Sequence, residues 1–190
     1  EASTNRVAGN SIISNTAGNG GIYFESNPAR GGPKGNIIAR NTITHGSGFA
    51  VRAIAATNNY VLNNIAYANG AGVLLANVAV SNRLANNILL SNGPVGITNA
   101  GAGTGWENND LFGHAKNYAN SVALAVSNAN IGANPLFSNA AGGNFRAASA
   151  SSPIVDAGTT NGLMQYDAMA VQGLARDMGV YESAFTYAQF

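Results

Sequence analysis

The chain has 190 residues, enough for one domain with a hydrophobic core, and a net charge of +1. Only 9% of its residues are charged, whereas 28 are Asn and 24 are Gly, two residue types that oppose long helices and favour tight turns. The few, scattered basic residues argue against a nucleic-acid partner, and no apolar run is long enough to span a membrane. The composition therefore predicts many short strands joined by turns.

Asparagine recurs at nearly constant spacing through residues 10–109. The anchor positions, separated by 31, 23, 23 and 22 residues, are Asn10, Asn41, Asn64, Asn87 and Asn109. An apolar residue lies three positions before every anchor, in the column Val7, Ile38, Val61, Leu84 and Trp106. Another lies two positions after every anchor, in the column Ile12, Ile43, Ala66, Leu89 and Leu111. Such self-similarity indicates one structural unit repeated along the chain.

A third apolar column follows a glycine in each of the first four repeats. Its predicted members are Ile22, Phe49, Val73 and Ile97, and two positions further on Phe24, Val51 and Leu75 continue an alternating strand. Three short apolar segments in such a period are typical of one coil of a parallel β-solenoid, whose coils stack about 4.8 Å apart. Leucine-rich repeats are the main alternative, but they hold Leu at fixed positions. The anchors are expected to form an asparagine ladder at one corner of the coils.

The C-terminal third is not periodic, but it contains three distinctive motifs. They are Asn134–Phe137 (NPLF), Ser152–Gly158 (SPIVDAG) and Asp177–Glu182 (DMGVYE). Together with the coils, they resemble secreted proteins of the pectate-lyase-like superfamily, in which Asp is more usual at the position of Asn134. The resemblance implies an all-β, right-handed parallel β-helix of about five to six coils, with three short strands per coil and a β-rich C-terminal cap.

The expected organisation is one continuous domain, with coils over residues 1–126 and the last coil and cap over residues 127–190. A solenoid end exposes apolar ladders and unpaired strand edges, which charged groups tied to backbone amides would cover. The expected cap residues are Asp156, Arg176, Asp177 and Glu182. Because the chain begins at Glu1, almost directly in a coil, we expect a mature chain cut from a leader. Its first coil would pack on a neighbouring subunit or would have lost a preceding domain.

The resemblance also implies polysaccharide chemistry. Lyases of this fold hold Ca²⁺ with acidic residues and remove a proton with Arg or Lys, whereas its hydrolases use paired or tripled Asp. Glu25 and Arg52 are expected at equivalent positions of adjacent coils, about 5 Å apart, with Lys34 nearby. Arg52 or Lys34 would then be the base and Glu25 a cation ligand. The alternative is a surface salt bridge.

Aromatic and acidic side chains supply the other candidate sites. Tyr23, Tyr60 and Tyr67 fall at outward-facing or corner positions, where their rings could stack on sugars. Glu107 and Asp110 bracket a corner and carry the oxygen ligands that Ca²⁺ prefers, although two such carboxylates are more often simply solvated. No other cofactor is predicted.

The leading hypothesis is a secreted structural or adhesive module at the cell surface, whose partners are copies of itself stacked head to tail into filaments. The low charge, the Asn and Gly content and the scarcity of acids in the coils favour it. The alternative is a polysaccharide-binding or lyase-like protein, or a fragment of one. An enzyme is the less favoured interpretation.

Overall fold

A computed structural model describes residues 4–16, 18–25, 32–76, 79–101, 103–119, 129–163, 166–167 and 170–185. These residues form 17 strands and no helix. Fifteen of the strands make three parallel sheets of five strands, and each coil of the chain contributes one strand to each sheet. The predicted all-β parallel β-helix with three strands per coil is therefore confirmed. No described segment forms an apolar helix of membrane-spanning length.

The three sheets follow one another around each coil, and we call them A, B and C. Sheet A consists of β1 (Arg6–Ala8), β4 (Ile37–Ala39), β7 (Tyr60–Leu62), β10 (Arg83–Ala85) and β13 (Gly105–Glu107). Sheet B consists of β2 (Ser11–Ile13), β5 (Thr42–Thr44), β8 (Ile65–Tyr67), β11 (Ile88–Leu90) and β14 (Asp110–Phe112). Sheet C consists of β3 (Ile22–Glu25), β6 (Phe49–Ile54), β9 (Ala71–Ala76), β12 (Val95–Asn99) and β15 (Lys116–Ala119). An antiparallel hairpin follows, formed by β16 (Phe137–Asn139) and β17 (Asn144–Ala147).

Left-handed backbone residues make the corners between the sheets. The residue directly before each anchor asparagine has a positive φ, and these residues are Gly9, Arg40, Asn63, Asn86 and Asn108. The next corner uses Ser14, His45, Ala68, Ser91 and Gly113 in the same way. A left-handed residue other than Gly costs roughly 1–2 kcal/mol, so the hydrogen bonds of the following asparagine offset a real strain. This pairing of a left-handed residue with Asn explains why the chain is so rich in Asn.

The predicted columns of sheets A and B are confirmed by the register. Ile38 pairs with Val61 in sheet A, and Ile43 pairs with Ala66 in sheet B. The predicted third column is wrong at Phe49, because Ile22 pairs with Val51 and Phe49 pairs with Ala71. Its predicted continuation is wrong at Val51 for the same reason, because Phe24 pairs with Ala53. The stretch between an anchor and its sheet C residue differs in length from coil to coil, so the glycine is not a fixed marker of register. A shift of two residues keeps the same face inward, so the alternation of the sequence did not reveal it.

The chain after the last coil folds back along the outside of the solenoid. We call its described residues, 134–163, 166–167 and 170–185, the C-terminal strap. Leu163 packs against a column of outward-facing residues of sheet A that includes Ala39 and Leu62. Met178 packs in a cluster with two outward-facing residues of sheet B, Ile65 and Ile88. The strap thus covers the flank at the corner between sheets A and B, because the outward faces of these short strands are themselves apolar.

Candidate functional site

The anchor asparagines form a continuous hydrogen-bonded ladder along the A–B corner. The backbone N–H and the Nδ2 group of Asn64 both donate to Oδ1 of Asn87, at 3.0 Å each. Nδ2 of Asn64 also donates to the carbonyl of Ile38, one coil earlier, at 2.9 Å. The same pattern joins the other anchors and continues beyond Asn109 to Asn130. Buried amides are fully paired here, so each asparagine fixes the spacing of three coils.

Two further ladders lie at the other corners, and the sequence reasoning missed both. Asn36, Asn59 and Asn82 are linked in the same way at the C–A corner. Asn69 donates to Oδ1 of Asn92 at the B–C corner. The signal was present, since these residues lie five positions before or after an anchor and so recur with the same period.

The strap is attached to the A–B corner one coil at a time. Nδ2 of Asn108 donates to the carbonyl of Ala157, and Asn86 exchanges two hydrogen bonds of 2.8 Å with the backbone of Thr159. Nδ2 of Asn63 donates to the carboxylate of Asp167. These three asparagines are the left-handed residues of the corner, whose side chains are free to reach outward. Between Ala157 and Asp167 the strap therefore runs antiparallel to the growth of the solenoid, from the fifth coil back towards the first.

The carboxylate of Asp167 lies close to three arginines from different parts of the chain. Its Oδ1 lies 3.0 Å from Nε of Arg40 and 3.7 Å from Nη2 of Arg6, and its Oδ2 lies 3.8 Å from Nη1 of Arg176. Asp167 is 1% exposed and Arg176 is fully buried. Removing one member of such a cluster typically costs 3–5 kcal/mol, because its partner is left buried without compensation. Spacing alone could not reveal Asp167, because its partners lie on other coils and no repeat includes it.

The expected cap residues lie in the strap, on the flank, where they organise its backbone. Asp156 accepts hydrogen bonds from the backbone N–H groups of residues 174 and 175, at 2.9 Å each. Asp177 accepts from Asp156 at 2.8 Å and from Ser183 at 2.7 Å. The carboxyl group of Glu182 accepts from Gln172 at 3.3 Å. These bonds join two of the C-terminal motifs, which explains why charged residues recur in them.

The structure does not place Glu25 and Arg52 at equivalent positions. Glu25 pairs with Ile54, and Arg52 pairs with Tyr23, because the register of sheet C differs by two residues from the predicted one. The Arg52 guanidinium carbon lies 5.1 Å from the centroid of the Tyr23 ring, and Nη1 donates to Asn19 at 2.9 Å. The Tyr23 hydroxyl donates to Glu25, and this bond raises the pKa of Tyr23. Arg52 and Glu25 thus both lie against Tyr23.

Lys34 is placed at a corner rather than on sheet C. It forms a parallel bridge with Thr57, just before β4. Among the described residues, Lys34 forms no ion pair with Glu25 or with any other carboxylate.

The three candidate tyrosines lie on three different sheets. Tyr60 stacks on Tyr166 of the strap with ring centroids 3.9 Å apart, and their hydroxyls are hydrogen-bonded at 2.9 Å. Tyr67 contacts Phe145 of the strap edge-on, with centroids 5.6 Å apart. Tyr23 is 38% exposed on sheet C. Strap residues therefore pack against the rings of Tyr60 and Tyr67, whereas the side chain of Tyr23 is exposed.

The two candidate metal ligands are held by different partners. Glu107 forms an ion pair with Arg83. Asp110 is completely buried on β14, where Oδ1 accepts from the backbone of Ala133 at 3.1 Å and Oδ2 has no partner in the described ranges of the chain. Burial raises the pKa of Asp110 to about 7. Within the part of the chain that the structure describes, no three His, Cys, Asp or Glu side chains are grouped to hold a metal ion.

Comparison with known proteins identified no relative of this chain. No protein-family model matches the chain. No curated protein and no solved structure is significantly similar to it.

Proposed function

We propose that the protein is a secreted structural or adhesive module that extends by stacking copies end to end. The observation that supports this function is the direction of the asparagine ladders. In every step, a coil donates from the backbone N–H and from Nδ2 to Oδ1 of the next coil. A ladder with a fixed direction has an acceptor end and a donor end, which is what a heterologous, non-closing contact requires.

The acceptor end is the first coil. Asn10 donates to Asn41, and its own Oδ1 receives no hydrogen bond from the described residues. The carbonyl of Asn10 accepts from Thr42, so strand alternation turns the backbone groups of Ser11 and Ile13 away from the second coil. The side chain of Ile13 is 65% exposed. Within the described ranges this edge of β2 is unpaired, and an unpaired strand edge is a template for another strand.

The donor end follows the fifth coil. Ile131 forms a parallel bridge with Asp110, and Asn130 continues the anchor ladder. The backbone N–H of Asn130 has no acceptor among the described residues. In the proposed contact, Asn130 of one copy donates to Asn10 of the next, at the same coil spacing as within one chain.

Negative-stain electron microscopy and sedimentation velocity of the untagged chain test this function. We expect filaments of uniform width that disperse in the Ile13→Lys variant, because a charge on an edge strand opposes pairing. Leu174→Lys is the matched control, since Leu174 is also 65% exposed but lies in the strap. Compact particles at every concentration, or filaments that persist in Ile13→Lys, would contradict the proposal.

Polysaccharide binding is the second candidate, and the arrangement around Tyr23 favours it. The strap covers the A–B corner, whereas Tyr23, Arg52, Glu25 and Asn19 lie together on sheet C. The resemblance to the pectate-lyase-like superfamily supports the same class of ligand, and Arg52 would be the base of a lyase. If the wild-type chain binds or cleaves a polyuronate and Arg52→Met does so equally well, this assignment is wrong.

A further inference from the structure

A pocket of about 430 Å³ lies within the strap, between the β16–β17 hairpin and residues 172–185. Phe145, Ile154, Tyr181 and Phe185 give it a largely apolar and aromatic lining. Its volume and its lining are those of small-molecule sites, which combine an apolar wall with a few polar groups. The pocket is separate from the residues around Tyr23 and from the first coil, and it goes beyond the proposed structural function.

The two acidic side chains of the pocket, Asp177 and Glu182, already accept hydrogen bonds from backbone N–H groups. Both oxygens of Asp177 accept backbone N–H groups, at 2.8 and 2.7 Å, and the side chain is almost completely buried. Glu182 accepts from the backbone N–H groups of Gln172 and Asp177 at 3.3 Å. Burial raises the pKa of Glu182. The backbone N–H dipoles that point at both carboxylates partly offset the negative potential of these two acids.

Arg146 is in the opposite situation. Its guanidinium carbon lies 4.6 Å from the centroid of the Tyr181 ring, at the wall of the pocket. No carboxylate of the described residues lies within 4.0 Å of it, and the residue is exposed. Its stacking on Tyr181 holds the guanidinium in place without satisfying its N–H donors. Arg146 therefore presents a fixed positive charge that has no counter-ion in the described part of the chain.

The second polar group of the lining is Ser183. Its Oγ is buried and has no hydrogen-bond partner among the described residues, although the Ser183 backbone is fixed by Asp177. A buried hydroxyl without a partner costs free energy, and a ligand atom that accepts its proton would recover it. From these contacts we propose that the pocket binds a small carboxylate with an aromatic or branched apolar body. Its carboxylate would pair with Arg146, and its body would lie against Phe145, Ile154 and Phe185.

Benzoate and benzamide are suitable probes, because they differ in charge and share an aromatic ring. The full chain is titrated with each probe. Isothermal titration calorimetry gives the affinity, and shifts of the methyl and aromatic NMR signals of the pocket residues give the location of binding. We expect benzoate to bind about tenfold more tightly than benzamide, since charge-assisted bidentate hydrogen bonds are the stronger class. Arg146→Met keeps the apolar stem over Tyr181 and should weaken benzoate by a similar factor. Ser183→Ala should weaken it less.

Lys116→Met is the control, because Lys116 is also an exposed cation but lies on β15, outside the pocket. It should bind benzoate as the wild type does, and the NMR spectra of all variants should show that they are folded. Equal affinity for benzoate and benzamide, or unchanged benzoate affinity in Arg146→Met, would overturn the proposal.

Discussion

Replacement of Asp110 by Asn should stabilise the protein above neutral pH and leave it almost unchanged in acid. Asp110 lies on the outward face of sheet B, where it pairs with Ile88 of the preceding coil. Both side chains are buried. One carboxylate oxygen accepts from the backbone of Ala133, and the other has no partner in the part of the chain that the structure describes. Asn retains the same acceptor and carries no charge, so the variant removes the cost of the buried charge with little change in shape.

The magnitude follows from the pKa of Asp110, which burial raises from 3.8 to about 7. Between these two values the folded protein binds more protons than the unfolded chain, so its stability falls as the pH rises. Each pKa unit is worth about 1.4 kcal/mol, so ionised Asp110 lowers the free energy of unfolding by roughly 4 kcal/mol above pH 7. Below about pH 4 the group is protonated in both states and the loss disappears.

Urea denaturation at several pH values between 4 and 8 measures the effect. We expect Asp110→Asn to raise the free energy of unfolding by about 2–4 kcal/mol at pH 8 and by little at pH 4. Glu25→Gln, at an exposed carboxylate, should change it by less than about 0.5 kcal/mol. A difference between Asp110→Asn and the wild type that is the same at pH 4 and at pH 8 would refute the reasoning.

Four further substitutions test the ladder and the strap by urea or thermal denaturation. Asn64→Ala should lose roughly 2–4 kcal/mol, because it leaves buried groups on two neighbouring coils unpaired. Leu163→Ala should lose about 2–5 kcal/mol by opening a cavity under the strap, and a loss below about 1 kcal/mol would show that the strap is loosely attached. Asp167→Asn should lose about 3–5 kcal/mol, because it removes the buried carboxylate that Arg6, Arg40 and Arg176 share, and no loss would show that the ion cluster is not coupled. Gly179 has φ +90°, and a Cβ there would lie 2.7 Å from the side chain of Ile88. Gly143 has φ +80°, and no described atom would lie within 4 Å of its Cβ. Gly179→Ala should therefore lower the free energy of unfolding more than Gly143→Ala does.

The candidate sites were predictable only where they repeat. The anchor asparagines and the columns of sheets A and B follow from spacing, because every coil repeats the same short strand, corner and strand. The pairing of Arg52 with Tyr23 could not be read in this way, because the loop before sheet C varies in length and the inward face is unchanged by a slip of two residues. Arg146 and Ser183 could not be predicted from the sequence, because the proposed site depends on their lacking a partner among the described residues, which only the fold reveals.

The sequence by itself determined the coil, because stacking places equivalent residues above one another and therefore demands the same residue types at the same spacing. Apolar columns, Asn after a left-handed residue and a period near 23 are all local consequences of that demand. The tertiary structure alone decided where the C-terminal third lies. Asn63 meets Asp167 across 104 residues, and Asn86 meets Thr159 across 73, and the strap partners of these asparagines follow no fixed spacing. The strap follows the flank because the outward faces of sheets A and B hold apolar residues whose burial stabilises the fold.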